Sequence, residues 1–257
     1  MQYNKKFFLP FMNTVIIQAR MGSTRLPGKI MKDLAGHEVL WHVVTRASKA
    51  TRADRVIVAT TRNPEDDRVE AWCKKHNVLF WRGSSEDVLE RYYEAAKHFG
   101  ADHVVRVTSD CPLIDPAIID RCIDALEKGG YDYISNVVPG ERTFPRGLDV
   151  EAFSFTALER AQKNATETYE REHVTPHLWE NKKGEFSIGP IIMASAGYAG
   201  THRLTVDYPE DFLLMKTIYE KFYTPEAIVD IRLVIKFLDA NPDIARMNAS
   251  CKEKPLK

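Results

Sequence analysis

The stretch "QARMGSTRLPGK", Gln18 to Lys29, follows the apolar run Thr14-Val15-Ile16-Ile17 and gathers Arg20, Arg25 and Lys29 with two glycines and two hydroxyl residues. Those residue types in that order suit a polyphosphate. Gly22 lets the backbone turn close to a ligand, Ser23 and Thr24 offer hydroxyl donors, and the three cations offer charge. A second signal is "VRVTSDCPLIDP", in which Val104, Val105 and Val107 form a buried-strand pattern and Asp110 falls just past its carboxyl end. In an open parallel sheet ligands bind at that edge, and a carboxylate there can hold Mg²⁺, which takes one or two carboxylates together with substrate phosphates. Asp207, in "LTVDYPEDF", is a second acid at a strand end. Asp115 has the right chemistry too, but before Pro116 it reads as a helix N-cap and stands outside the site.

The elements that must position these residues are legible as alternating periods. β-branched runs predict strands at 14–19, 55–60, 78–81 and 103–108, and less clearly at 131–135. Helix-length amphipathic segments between them predict helices at about 38–50, 65–76, 86–99 and 116–128. That alternation predicts strand–helix–strand units and a mostly parallel sheet. Ser84 stands three residues before Asp87, a capping-box spacing, and Val88, Tyr92, Ala95 and Phe99 recur on one face behind it. Beyond residue 136 the pattern loosens into a loop at 139–148, strands near 149–153, 186–192 and 202–206, and helices near 154–163, 169–180, 209–222 and 225–239. The expected organisation is one α/β domain over 13–247, a disordered extension over 1–12 and a frayed tail over 248–257.

The chain has 257 residues with 36 acidic and 36 basic side chains, so it carries no global field. A basic surface that coats nucleic acid is thereby disfavoured, and any phosphate chemistry must come from a local cluster. Cys73, Cys111, Cys122 and Cys251 form no CxxC pair and read as free thiols of a reducing cytoplasm. No apolar run is long enough to cross a bilayer. Lys5 and Lys6 with Phe7 to Phe11 are too short an apolar segment, without a small-residue cleavage site, for a secretory signal.

Three phosphate-loop templates separate on this chain. The dinucleotide pattern GxGxxG fails because Gly22 and Gly28 lie six apart. Walker A fails because Ile30 stands where a magnesium-binding hydroxyl is needed. The sugar-nucleotidyltransferase pattern of Gly, a small residue, Thr-Arg, a hydrophobe, Pro and a nearby Lys is met by Gly22-Ser23-Thr24-Arg25-Leu26-Pro27 and Lys29. Read together, "VIIQARMGSTRLPGKIMKDLAG", "RGSSEDVLERYYEAA", "VRVTSDCPLIDP", "FPRGLDVEAFS", "REHVTP" and "RLTVDYPEDF" resemble the cytidylyltransferases that activate acidic sugars, of the acylneuraminate and 3-deoxy-manno-octulosonate type. The resemblance is nearest to their relatives of the spore-coat polysaccharide biosynthesis protein F group, and it runs from about residue 13 to 222.

The resemblance implies a GT-A-like three-layer α/β/α fold, CTP and a small acidic sugar as substrates, Mg²⁺ as cofactor, and a homodimer. It places Asp207 beside Asp110 as a metal ligand. Arg20, Lys29 and Asp110 are the expected catalytic residues, and Ala19, Arg20, Gly22, Ser23, Thr24, Arg25, Lys29 and Arg82 the expected nucleotide contacts. The acceptor hydroxyl would attack the α-phosphorus in line as pyrophosphate leaves, with catalysis by positioning and charge neutralisation. No side chain in these motifs presents itself as general base.

Weaker signals surround that centre. Cytosine would be read by Ala59-Thr60-Thr61 or by Arg82 with Ser84 and Ser85. Arg142 and Arg146 suit a substrate carboxylate, and Arg146, Asp149 and Glu151 are the expected acceptor contacts. His173 and His177 have i,i+4 spacing but no HExxH, so zinc is not expected. The motifs depart from the sugar-acid enzymes at "TSDCPLI", which leaves the acceptor open. Two other readings remain: a nucleotide-sugar-dependent glycosyltransferase, whose DxD motif has only Asp149-Val150-Glu151 as a counterpart, and a catalytically silent nucleotide-binding protein.

Overall fold

The computed structural model describes residues 11–138 and 141–253. Its elements in chain order begin with β1 (Asn13–Gln18), a 3-10 turn (Lys29–Met31), β2 (Asp33–Leu34), β3 (His37–Glu38) and α1 (Val39–Ala47). There follow β4 (Arg55–Thr61), α2 (Asp67–Lys75), β5 (Leu79–Gly83), α3 (Val88–Phe99), β6 (His103–Thr108) and α4 (Pro116–Gly129). The second half contributes β7 (Tyr133–Ser135), β8 (Val137–Val138), β9 (Glu141–Arg142), β10 (Glu151–Ser154), α5 (Phe155–Asn164), α6 (Thr168–His173) and α7 (Pro176–Glu180). It closes with α8 (Pro209–Phe222), α9 (Ile231–Ala240) and α10 (Pro242–Ala245).

Six strands form the central sheet in the order β5-β4-β1-β6-β10-β7. β5, β4, β1 and β6 are mutually parallel, with Ile17 level with both Val58 and Val107, while β10 runs antiparallel to β6 and β7. Strand alternation sends Val15, Ile17, Val58, Val105 and Val107 to one face, under α1, α2, α4, α8 and α9. Ile16, Ala59, Val104 and Phe153 point to the other face, under α3, α5 and α7. These two buried layers make a Rossmann-like α/β/α arrangement, and the parallel strands bring the loops after β1, β4 and β6 to one sheet edge.

Several expectations change in detail. Ser84 is not the cap of α3: Asp87 accepts from the Glu90 amide at 2.9 Å, and Ser84 Oγ accepts from the Asp87 amide at 3.0 Å in a turn just before it. Asp115 does cap α4, accepting from the Ala117 amide at 2.8 Å. The helix expected at 169–180 breaks into α6 and α7 at Val174, whose φ of 72° no helix accommodates, with Pro176 opening the second piece. The segments 186–192 and 202–206 are extended but touch their neighbours through single bridges, Tyr133 to Ile188 and Arg146 to Arg203, rather than joining the sheet. The helix expected from 225 starts at Ile231 because Asp230 caps it.

The extension over 1–12 lies outside the described residues up to position 10, and Met12 donates its amide to Asp102 at 2.8 Å. The tail is docked from Asn248 to Glu253 rather than frayed. Asn248 is 4% exposed, the Lys252 carbonyl accepts from the Tyr208 hydroxyl at 3.2 Å, and Glu253 pairs with Arg146. All four cysteines are free. Among the described residues no helix is long and apolar enough to cross a membrane.

Candidate active site

The loop after β1 is held from beneath by β4 and the turn that follows it. The Ala19 amide donates to the Ala59 carbonyl at 3.0 Å, and the Met21 amide donates to Asp66 Oδ1 at 2.6 Å. Asp66 is fully buried, and its second oxygen accepts from the Thr61 hydroxyl. A carboxylate buried with two donors aimed at it is a rigid anchor. Gly22 packs against Glu65, where a Cβ would lie 2.8 Å from Oε1. Ser23 Oγ accepts from the Leu26 amide at 3.4 Å, and Gly28, at φ 64°, supplies the left-handed turn into the short helix that carries Lys29. Thr24 and Arg20 are exposed, and Arg20 forms no ion pair among the described residues.

Lys29 is the centre of the arrangement. Its ammonium donates to Asp110 Oδ2 at 2.7 Å and to Asp207 Oδ1 at 2.8 Å, so one cation sits between the two acids. Arg25 donates to the same Asp207 oxygen at 2.8 Å, while Arg203 reaches the other at 2.8 Å. Burial opposes the charge on Lys29, but Asp110 and Asp207 outweigh it and raise its pKa. Burial likewise opposes the charge on Asp110, and Lys29 more than offsets it, holding that carboxyl at about 2. Asp110 is therefore ionised across the physiological range of pH.

Asp207 is positioned by Asp211, whose side chain is fully buried in the first turn of α8. Asp211 accepts from the Asp207 amide at 3.0 Å, the Tyr208 amide at 3.1 Å, Arg203 Nε at 2.9 Å and Asn248 Nδ2 at 2.8 Å. Asp110 is tied to the same segment through its carbonyl, which accepts from the Val206 amide at 2.8 Å. Sequence reading missed Arg203, Asp211, Asn248 and Asp66. Arg203 and Asp211 each lie four residues from Asp207 in "RLTVDYPEDF", but their roles arise from tertiary contacts.

The remaining candidates fall into two groups. Arg82 is committed to structure: it donates to the carbonyls of Thr61 at 2.8 Å and Asn63 at 3.0 Å, and to Asp67 and Glu70 at 2.7 Å each. Arg142 and Asp149 pair through two bonds of 2.5 and 3.0 Å, close enough to Cys111 that, after burial and Asp110, Asp149 helps push that thiol up. That pair thus lies beside Asp110, as does the segment containing Arg146, which bridges Arg203. Glu151 is 8% exposed and accepts from Arg106 at 2.5 Å, so the Asp149-Val150-Glu151 stretch has both carboxylates already engaged. His177 bonds Glu170 at 3.1 Å within the α6–α7 corner.

Known proteins resemble this chain over most of its length. Residues 14–235 match the family model described as cytidylyltransferase. The chain is 32% identical over 238 residues to the spore coat polysaccharide biosynthesis protein SpsF of Bacillus subtilis, covering 90% of this chain and 95% of that one. A solved cytidylyltransferase from Leptospira borgpetersenii superposes with a TM-score of 0.82 at 33% identity, covering 95% of this chain and all of that one. A CMP:2-keto-3-deoxy-manno-octonic acid synthetase solved with CTP shares the fold, at a TM-score of 0.63 and 19% identity over 82% of this chain and 99% of that one. The chain belongs to the cytidylyltransferase family.

Proposed function

We propose that this protein transfers CMP from CTP to a hydroxyl of an acidic sugar, releasing pyrophosphate, in the assembly of a surface polysaccharide. The observation that carries the reading is the Lys29 ammonium between Asp110 and Asp207, beneath a loop whose exposed Arg20 forms no ion pair among the described residues. The polysaccharide role rests on the name of the Bacillus relative, and the acceptor class on the motifs shared with sugar-acid enzymes.

Mg²⁺ fits the residues present. Asp110 and Asp207 already share one cation in this structure, and among the described residues they stand without a third acid, His or Cys that would complete an all-protein cage. Two carboxylates with substrate phosphates and water are what Mg²⁺ ordinarily takes. When bound, the ion supplies charge neutralisation at the reacting phosphate.

The chain's own residues do the rest. Asp66 and Thr61 hold the loop so that its backbone and Arg20 face the triphosphate, and Arg25 and Lys29 supply charge at the leaving pyrophosphate. The oxygen of the acceptor hydroxyl bonds to the α-phosphorus as the bond to the α–β bridging oxygen breaks, pyrophosphate leaves and the hydroxyl proton passes to water, and preorganised cations there are worth roughly 100- to 1,000-fold each in turnover.

The test is to incubate the protein with Mg²⁺, each nucleoside triphosphate and a panel of acidic sugars while monitoring pyrophosphate. Release specific to CTP that disappears in Asp110→Asn supports the reading. Sugar transfer from a nucleotide sugar, with no release from any triphosphate, would overturn it.

A further inference from the structure

Asn248 belongs to the tail beyond α10, yet it is buried among the residues that carry Asp207. Its Nδ2 donates to Asp211 Oδ1 at 2.8 Å and to the Arg203 carbonyl at 3.0 Å. Both partners are oxygens already placed as acceptors, one on a carboxylate and one on the backbone. A primary amide presents two hydrogens on a single nitrogen, one for each of them. A serine hydroxyl carries one hydrogen, a carboxylate none, and an alanine would leave both oxygens unserved, so the pattern specifies the carboxamide.

These two bonds close a ring. Arg203 is held at one end by its carbonyl on Asn248 and at the other by its guanidinium on Asp211, through Nε at 2.9 Å and Nη2 at 3.1 Å. Asp207 hangs from that ring at two points. Its amide donates to Asp211 Oδ2 at 3.0 Å, and its own Oδ2 accepts from Arg203 Nη2 at 2.8 Å. With Oδ2 pinned there, Oδ1 is the oxygen that meets Lys29 and Arg25, each at 2.8 Å. The frame thus decides which oxygen Asp207 turns toward the cation it shares with Asp110.

The tail reaches the other side of Asp207 as well. The Tyr208 hydroxyl donates to the Lys252 carbonyl at 3.2 Å, and the Tyr208 ring centroid lies 4.8 Å from the Arg25 guanidinium carbon. Arg203 on Oδ2 and Arg25 on Oδ1 are therefore both backed by the tail, the first directly through Asn248 and the second through Tyr208.

We propose that the C-terminal tail is part of the catalytic centre, with Asn248 the positioning residue that aims the Asp207 carboxylate at the divalent ion of the bound nucleotide. This rests on the reading of Asp207 as an Mg²⁺ acid in the proposed function. A partner that orients a metal-binding carboxylate is ordinarily worth roughly 10- to 100-fold in metal affinity or activity. A tail that served the fold alone would weaken CTP binding equally with and without the ion, whereas one that aims Asp207 acts on the contribution of the ion.

The full-length protein is titrated calorimetrically with CTP in millimolar Mg²⁺ and again in EDTA, and the ratio of the two affinities reads that contribution. Asn248→Ala is expected to lower the ratio by roughly 10-fold, with the affinity in EDTA within about threefold of wild type. Asp207→Asn should lower it at least as far, and adding Asn248→Ala to Asp207→Asn should lower it no further, because one residue acts through the other. Should Asn248→Ala fail to fold, Asn248→Ser keeps one of the two hydrogens and should give a ratio between those of wild type and Asp207→Asn. An unchanged ratio in either folded variant, or a further loss in the double variant, overturns the proposal. Wild type that binds CTP equally well in Mg²⁺ and in EDTA overturns the metal reading of Asp207, and this assignment with it. A ratio that falls as expected in a protein that releases no pyrophosphate with any acidic sugar removes the transfer reading and leaves the role of Asn248 supported.

Discussion

Replacing Lys29 by Met removes the ammonium between Asp110 and Asp207 while keeping much of the side chain's length and its largely buried stem. The cost can be worked from Asp110. Burial acts to raise its pKa, yet Lys29, helped by hydrogen bonds from Thr108 and Cys111, brings it from 3.8 down to about 2, a gap near two units. At about 1.4 kcal/mol per unit, the ionised carboxylate in this setting contributes on the order of 2–3 kcal/mol of folding stability, with Lys29 its largest favourable partner. A carboxyl depressed in the folded state contributes fully above its unfolded value and loses that contribution as pH falls through the folded one. Wild type should therefore exceed Lys29→Met by about 2–3 kcal/mol at pH 7. The difference should shrink below pH 3.8 and vanish near 2. Urea unfolding in EDTA measures it. Repeating the titration in millimolar Mg²⁺ should stabilise the variant more than wild type, because the ion no longer competes with an ammonium for the same two acids. An unchanged unfolding midpoint at pH 7, or equal stabilisation of both proteins by Mg²⁺, would refute the view of this position as a cation site.

Arg20→Ala should leave the unfolding midpoint where it is, since the side chain is exposed and unpaired among the described residues, yet lower kcat/KM in the pyrophosphate assay by roughly 100-fold or more. Burial lowers the pKa of His42 from 6.5 to about 4, so the folded protein resists a proton that the unfolded chain takes up. Stability should fall by about 3 kcal/mol as pH drops from 6.5 to 4, with no further loss from this group below, and urea midpoints of His42→Gln should lack that slope. Gly147 has φ 98°, and a Cβ on it would lie 2.3 Å from the Leu204 carbonyl oxygen. Gly147→Ala should cost on the order of 2 kcal/mol or more in a thermal melt and, by pushing the segment that carries Arg203 and Asp207, reduce turnover in whatever fraction folds.

What could be read without coordinates was whatever local pattern controls. The β-branched runs of β1, β4 and β6 and the Asp115-Pro116 start of α4 lie within a residue or two of expectation, because strand burial on both faces and helix capping leave direct marks in sequence. The corner at Val174 and the segments 186–192 and 202–206 do not, because their conformation is set by what they pack on. Leu204 and Val206 alternate as in a strand, yet their amides bond Arg146 and Asp110 instead of a sheet neighbour. The same division runs through the site. Lys29, Asp110 and Asp207 were visible as motif residues, whereas Arg203, Asp211, Asn248 and Asp66 act through partners brought in by the fold, as in the contact of Asn248 with Asp211 across 37 positions. Arg82 shows the converse: its setting past a strand on the catalytic edge suggested a ligand contact, and its donors are spent on Thr61, Asn63, Asp67 and Glu70.

The ion-pair cluster matches Arg25, Lys29 and Arg203 against Asp110, Asp207 and Asp211 one for one. A floor so balanced, in a chain of zero formal charge, adds no net pull of its own into solvent, and apart from the exposed Arg20 above it a polyanion meets little electrostatic steering. Encounter then proceeds at the pace of undirected diffusion and responds only weakly to ionic strength. The favoured visitor is one that arrives with its counter-charge attached, a nucleotide already carrying its divalent ion, so that docking leaves the neutrality of the floor undisturbed.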